Sequence, residues 1–329
     1  MPWPRCCKRW RYDFLAEVRG GRPLRTSALF LCVPQREMAL LTPEHLHHLR
    51  NLSLAARQAA EGFLNGAHAS RRHGPGMEFS QYRPYQPGDD LRRLDWRLAA
   101  RSDRYYLRES EVDTSLTVHL LLDASASMNH RDDNGLTKLD YARLLLAALA
   151  YLAQQQGDAV GLTILAPGGL RHLPARADTR QLPRLYHALE TAEATGHFPD
   201  AATLAPLTAR RQRALTVCVS DLYEENSEIN ALLTRLRATS GDVLLLHLLA
   251  NNELKFTYQG AITLRDLESG QTLQLDADQQ RPHYQRQLEQ WLRDTAQAAR
   301  RQGFDYHQLN TAAPLDYAMR EFLRRRQNS

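Results

Sequence analysis

The stretch Leu116-Thr117-Val118-His119-Leu120-Leu121-Leu122-Asp123-Ala124-Ser125-Ala126-Ser127-Met128 decides how the chain is read. An apolar run of this length that stops at a carboxylate has the pattern of a buried strand. Just beyond it, Asp123, Ser125 and Ser127 place three hard oxygens in one tight loop. At the carboxyl end of a parallel strand, such oxygens suit Mg²⁺ or Mn²⁺, which keep waters and leave coordination positions open. In isolation the same residues fit a helix cap followed by loop hydroxyls equally well. The surrounding pattern separates the two readings.

Downstream of the loop, strand and helix patterns alternate. A helix is predicted from about Lys138 to Gln156, with Leu139, Ala142, Leu145, Leu146, Leu149 and Leu152 on its buried face. Val160–Leu165 reads as a strand, turned at Gly168-Gly169 toward an antiparallel partner at Leu170–Leu173. A helix follows over about Thr179–Ala192. Ala214–Ser220 is another buried strand, again ending in a carboxylate, Asp221. A helix over Ser227–Ala238, a strand over Val243–Leu249 and a hairpin of Ile262–Asp266 with Thr272–Leu275 come next. A long helix from about Pro282 to Gln302, a strand over Phe304–Leu309 and a helix over Ala313–Arg326 end the chain. The order predicts an α/β fold with a doubly wound, mostly parallel sheet. Two strands ending in Asp at one sheet edge favour a ligand site there.

Upstream, Thr42 to about Ala69 has helical spacing in Leu46, Leu49, Leu52, Ala56, Ala59 and Phe63. Residues 77–112 are dense in charge and aromatics, and Tyr105–Val112 alternates like a strand. The expected organisation is a leader over 1–37, a small helical and β region over 38–112, and the α/β domain over 113–329. The formal net charge of +5 lies wholly in the leader, whose eight basic side chains face Asp13, Glu17 and Glu37. Met38-Ala39-Leu40-Leu41-Thr42-Pro43-Glu44 resembles a natural beginning, with Thr42 as helix cap and Pro43 at the first helical position. The leader is therefore expected to be an upstream extension; the alternative is a basic arm for an acidic surface. Because the charge of the body balances, nucleic acid is not an expected partner. No apolar stretch approaches the ~20 residues of a membrane span. The protein is expected in the cytoplasm, or peripheral to the inner membrane through a partner. Cys218, within Val217-Cys218-Val219, reads as a small core residue.

The pattern Phe79-x-x-Tyr82-Arg83-x-Tyr85-x-x-Gly88-Asp89-Asp90-x-Arg92-x-x-Asp95-Trp96-x-x-x-Ala100-Arg101 resembles the signature of the family called domain of unknown function 58. Asp-x-Ser-x-Ser follows at that family's distance, and Tyr258-x-Gly260 and Asp266-x-Glu268-x-Gly270 extend the likeness. The resemblance implies a von Willebrand factor A-like, Rossmann-type domain carrying a metal-ion-dependent adhesion site. On this chain Asp123, Ser125 and Ser127 match the first loop of such a site, and Asp221 matches its last strand. The second loop departs: where relatives place Gly-Gly-Thr-Asp, Thr195-Gly196-His197-Phe198-Pro199-Asp200-Ala201-Ala202-Thr203 stands here. Asp200 stands where the Thr-Asp would fall, Thr195 or Thr203 could substitute through a rearranged loop, and water can fill a vacant position on Mg²⁺.

The resemblance further implies a protein-binding adaptor that works with a MoxR-type AAA+ ATPase in chaperone-like assembly of client proteins. Catalysis is not expected. Asp89, Asp90, Arg92, Arg93, Asp95 and Arg101 admit two readings, an ion network fastening the small region to the A-type domain or a docking surface for the ATPase. Two alternatives to the adaptor stand beside it. One is a Mg²⁺-dependent phosphoesterase or other hydrolase built on the two aspartates, with His130 or His197 approaching Ser125. The other is a scaffold without metal, which the altered second loop would favour.

Overall fold

A computed structural model describes residues 51–71, 82–84, 105–108, 115–200, 202–204, 214–223, 228–239 and 241–328. In chain order the described elements begin with helix α1 (Leu52–Arg71) and strands β1 (Tyr82–Pro84), β2 (Tyr106–Arg108) and β3 (Thr117–Asp123). Then come α2 (Lys138–Gln155), β4 (Ala159–Ala166), β5 (Gly169–Arg176), α3 (Gln181–Glu190) and β6 (Leu215–Ser220). Next are α4 (Glu228–Thr239), β7 (Asp242–Leu249), α5 (Asn251–Lys255), β8 (Ala261–Arg265) and β9 (Thr272–Asp276). The last are α6 (Ala277–Arg301), β10 (Asp305–Asn310) and α7 (Asp316–Asn328).

The chain divides into two compact units, one of residues 64–115 and one of residues 1–63 with 116–329. In the smaller unit β1 and β2 pair antiparallel, with Arg83 opposite Leu107. The larger unit takes in α1 as far as Phe63, a segment grouped by sequence with residues 38–112. There the order β10-β7-β6-β3-β4-β5 forms one sheet, parallel at each pairing except β4–β5. From β3 the chain winds outward through β4 to one edge, then returns and winds through β6 and β7 to the other. The reversal falls between β3 and β6, where open α/β sheets leave a crevice at the strands' carboxyl ends. Strand order, the antiparallel β5 edge and the Asp-x-Ser-x-Ser loop on the first strand together make this a von Willebrand factor A-like, Rossmann-type fold.

Every residue of β6 is buried, and β3 is buried from Leu120 to Asp123, as expected for central strands covered on both faces. α2 opens on Thr137, whose hydroxyl accepts from the Asp140 N–H and donates to the Asp140 carboxylate. The stripe predicted for this helix is buried, and Ala147, Ala148 and Ala150 are buried with it. Cys218 is fully buried within β6.

Of the helix expected from Thr42 to about Ala69, the described residues show Leu52–Arg71, with the Asn51 carboxamide accepting from the Leu54 N–H. Two details differ from the sequence reading. The long helix expected from Pro282 begins at Ala277, since the Asp276 carboxylate accepts from Asp278 N and Gln279 N. The five-residue α5 was not anticipated; less than two turns carry no period to detect. Residues 1–50, including the leader and Thr42, and the signature positions 85–104 lie outside the described residues. Among the described residues no helix is long and apolar enough to cross a membrane.

At the amino ends of the strands, Asp158 gathers three segments. It is fully buried, accepts from Leu116 N at 3.0 Å, and takes Arg326 Nε and Nη2 at 2.6 and 2.9 Å. Asp158→Ala would strand a forked guanidinium from α7 and a strand N–H. We expect a loss of about 3 kcal/mol, measured by urea unfolding.

Candidate metal centre

Asp123 and Asp221 both stand at the reversal point, and neither is exposed to solvent. Register holds them together: Leu122 of β3 pairs with Val219 of β6, so the next residues, Asp123 and Ser220, leave the sheet side by side. Ser220 Oγ donates to Asp123 Oδ2 at 2.6 Å, and Ser125 N donates to Asp123 Oδ1 at 2.9 Å. Ser125 Oγ and Ser127 Oγ lie 2.9 Å apart, both residues fully buried. Asp123, Ser125 and Ser127 thus share one buried loop that is bonded to Ser220, the residue before Asp221. After Asp221 the chain passes through Leu222 at φ 56°, a left-handed conformation that an apolar residue seldom adopts. The Leu222 N–H is secured on Ser220 Oγ at 2.9 Å.

The first residue of α2 completes the site, and the sequence reading missed it. Lys138 is fully buried; its Nζ donates to Asp221 Oδ2 at 2.7 Å and to Glu253 Oε1 at 2.9 Å. Glu253 belongs to α5 and accepts from Ala250 N through its other oxygen, at 2.6 Å. α5 is itself fixed by Asp132, which accepts from Asn251 N and Asn252 N and from Thr311 Oγ1 at 3.0, 3.1 and 2.5 Å. His130 Nε2 meets Asn252 Oδ1 at 2.8 Å. The tail of the Asp-x-Ser-x-Ser loop is in this way tied to the helix that carries Glu253. A signal for Lys138 existed in the sequence: counting on from it, Ala142, Leu145 and Leu146 share its face, so it lies on the apolar stripe of α2.

The second loop runs beside the first. Thr195 N donates to Ala124 O at 3.0 Å and Ala126 N to Gly196 O at 2.8 Å, while Asn129 Nδ2 donates to Ala194 O at 2.6 Å. Gly196 is required there: its φ is +60°, and a Cβ would come within 2.7 Å of the Pro167 ring. Asp200 and Thr203 sit further along, where exposed Asp200 accepts from Thr203 N at 2.8 Å and caps the turn. That bond holds the Asp200 carboxyl below its ordinary range. The exposed, turn-capping Asp200 contrasts with the buried set at Asp123, Ser125, Ser127 and Asp221. His197 Nδ1 lies 3.1 Å from Glu268 Oε2 in the β8–β9 turn. The charged positions Asp89, Asp90, Arg92, Arg93, Asp95 and Arg101 lie outside the described residues.

Charge balance is the site's chief property. Asp221 and Glu253 share the Lys138 ammonium and Asp123 neighbours Asp221, so full ionisation of the three carboxylates leaves two negative charges in excess of that ammonium. Burial, then the neighbouring Asp221, push the Asp123 carboxyl up to about 7 despite its hydrogen bonds. Burial would raise Glu253 as well, but Lys138, His130 and Ala250 N–H hold it below the ordinary carboxylate range. Two carboxylates with an excess of two charges, beside two serine hydroxyls, fit a hard divalent cation. Among the described residues no three His, Cys, Asp or Glu side chains converge on one point, so such an ion would rest on carboxylates, hydroxyls and water.

The same shifts set a pH test. Asp123, protonated in the fold below about 7 and in the unfolded chain only below about 4, loses stabilisation as pH rises through that window. His247, lowered to about 4 chiefly by burial, gains stabilisation from pH 4 to about 6.5. The two slopes oppose each other. With chelator present, the melting temperature of Asp123→Asn minus that of the parent should therefore increase from pH 4 to pH 7, read by scanning calorimetry.

The family model described as Protein of unknown function DUF58 matches residues 81–292. An uncharacterized protein of Mycobacterium tuberculosis is 30% identical over 237 residues, covering 70% of this chain and 73% of its own length. Among solved structures, the conserved hypothetical protein BatB from Bacteroides thetaiotaomicron has a TM-score of 0.42 at 15% identity, covering 65% of this chain and 100% of that one. The SpRpn10 VWA domain has a TM-score of 0.37 at 13% identity, with coverages of 63% and 94%. The strand order, rather than these distant likenesses, carries the fold assignment. On the family match, which spans more than half its length, the chain belongs to the DUF58 family.

Proposed function

We propose that this protein is a protein-binding adaptor whose recognition site is a divalent-cation centre at Asp123, Ser125, Ser127 and Asp221. One observation carries the reading: a fully buried cluster at the reversal point of the sheet holds three carboxylates against one ammonium. Family membership and the A-type fold support a protein-interaction role. Bound there, Mg²⁺ or Mn²⁺ would supply a hard Lewis acid with open coordination positions. The chain's own residues divide the remaining work. Ser125 and Ser127 offer hydroxyls from one tight loop. Asp123, held on both oxygens by Ser220 and Ser125 N, is oriented without freedom to swing. Asp221 is held from behind by Lys138. An acidic side chain of a partner is the ligand chemistry that completes such a centre.

The partner class follows from the family resemblance: a MoxR-type AAA+ ATPase acting with this adaptor on client proteins. Turnover is not part of the proposal.

Calorimetric titration of the protein with Mg²⁺ and Mn²⁺ should show saturable binding that Asp123→Ala abolishes; no binding in the parent would overturn the metal-centre reading. For the second surface, Arg92→Ala with Arg93→Ala should abolish co-purification with the MoxR-type ATPase at unchanged melting temperature. A lowered melting temperature would instead assign those arginines to an internal ion network.

A further inference from the structure

Lys138 is a fully buried cation. Its Nζ donates to two carboxylates from separate elements, Asp221 at the end of β6 and Glu253 of α5. The ring of Tyr223 lies 5.0 Å from its Nζ, giving the ammonium a third electron-rich neighbour. A buried ammonium on a flexible stem would be costly without such partners. Here its position is fixed at both ends. α2 begins at Lys138 itself, and Glu253 is locked by Ala250 N and by the Asp132 anchor on α5.

We infer that Lys138 is the resident counter-cation of this centre, a specificity-determining residue that sets how much negative charge the site presents to an incoming ion. The inference rests on the divalent-cation reading above and adds to it a residue that touches no ligand. With Lys138 in place the ionised cluster presents two negative charges and matches a divalent ion. Without Lys138 it presents three; without the Glu253 carboxylate it presents one. In a site shielded from water, charges several ångströms apart still interact strongly, so each step alters affinity.

The test is a charge ladder read by Mn²⁺ calorimetry, with melting temperature in chelator and in Mn²⁺ as the second readout. Lys138→Gln should bind Mn²⁺ at least about tenfold tighter than the parent, and Glu253→Gln at least about tenfold weaker. The double variant, which restores the charge count, should return to the parental affinity. A purely structural role would weaken binding in all three variants, and that result would overturn the inference while leaving the metal centre standing. If the parent binds no Mn²⁺ but Lys138→Gln does, the divalent-cation reading fails for the natural chain and the counter-cation role stands. If neither binds, both fall. If Lys138→Gln folds only with Mn²⁺ present, the counter-cation role is upheld. If it folds in neither condition, the decision passes to Glu253→Gln, where weaker binding supports the role and unchanged binding overturns it.

Discussion

Two strand-end carboxylates face each other where water cannot screen them, and the neighbourhood of β3 and β6 is arranged around that repulsion. Asp123 is managed by donors: a serine hydroxyl from β6 and the N–H of its own loop. Asp221 is managed by charge, through an ammonium delivered from the start of α2. Hydrogen bonds alone do not suffice for Asp123, whose carboxyl still titrates near neutrality. A fold that carries such a concentration of like charge at its centre keeps it at a cost to stability.

The sheet order accounts for why those groups meet at all. Winding outward from β3 in both directions places β3 and β6 next to each other and sends their crossovers to opposite sides, which opens a gap beyond their ends. Into that gap come three separate segments. α2 contributes its first residue, α5 its acidic side chain, and the 194–196 strip its backbone. Asp132 binds the last of the connections, joining the Asp-x-Ser-x-Ser tail to α5 and, through Thr311, to the end of β10. The amino ends of the strands are closed differently, by the Asp158–Arg326 fork and the Arg325–Asp242 pair from α7.

What was legible in the sequence follows the distinction between pattern and placement. Strands ending at Asp123 and Asp221 announced themselves because apolar runs that stop at a carboxylate are a local signal. The hairpin of β8 and β9 was likewise visible from its Glu268-Ser269-Gly270 turn. Lys138 was overlooked because a cation in the first turn of an amphipathic helix resembles many solvated lysines; only its place on the apolar stripe set it apart. Glu253 could not be found, since it sits in a helix too short to show a period and acts across a separation of 115 residues from Lys138. For Asp200 and Thr203 the residue types were legible but not their local pairing, in which the Asp200 carboxylate accepts from the Thr203 N–H.

One arrangement in the larger unit has a consequence for biosynthesis. The apolar face of α1, with Ala55, Ala56, Ala59, Ala60 and Phe63, is buried in a unit whose other members begin at Leu116. The hydroxyl of Tyr151 reaches Glu61 across 90 residues of chain. A ribosome adding about 5–20 residues each second therefore leaves this helix waiting several seconds for the segment that covers it. During that interval an alanine-rich apolar stripe is presented at the front of the nascent chain. The order of synthesis therefore makes this helix dock only after the sheet segments that cover it have been made.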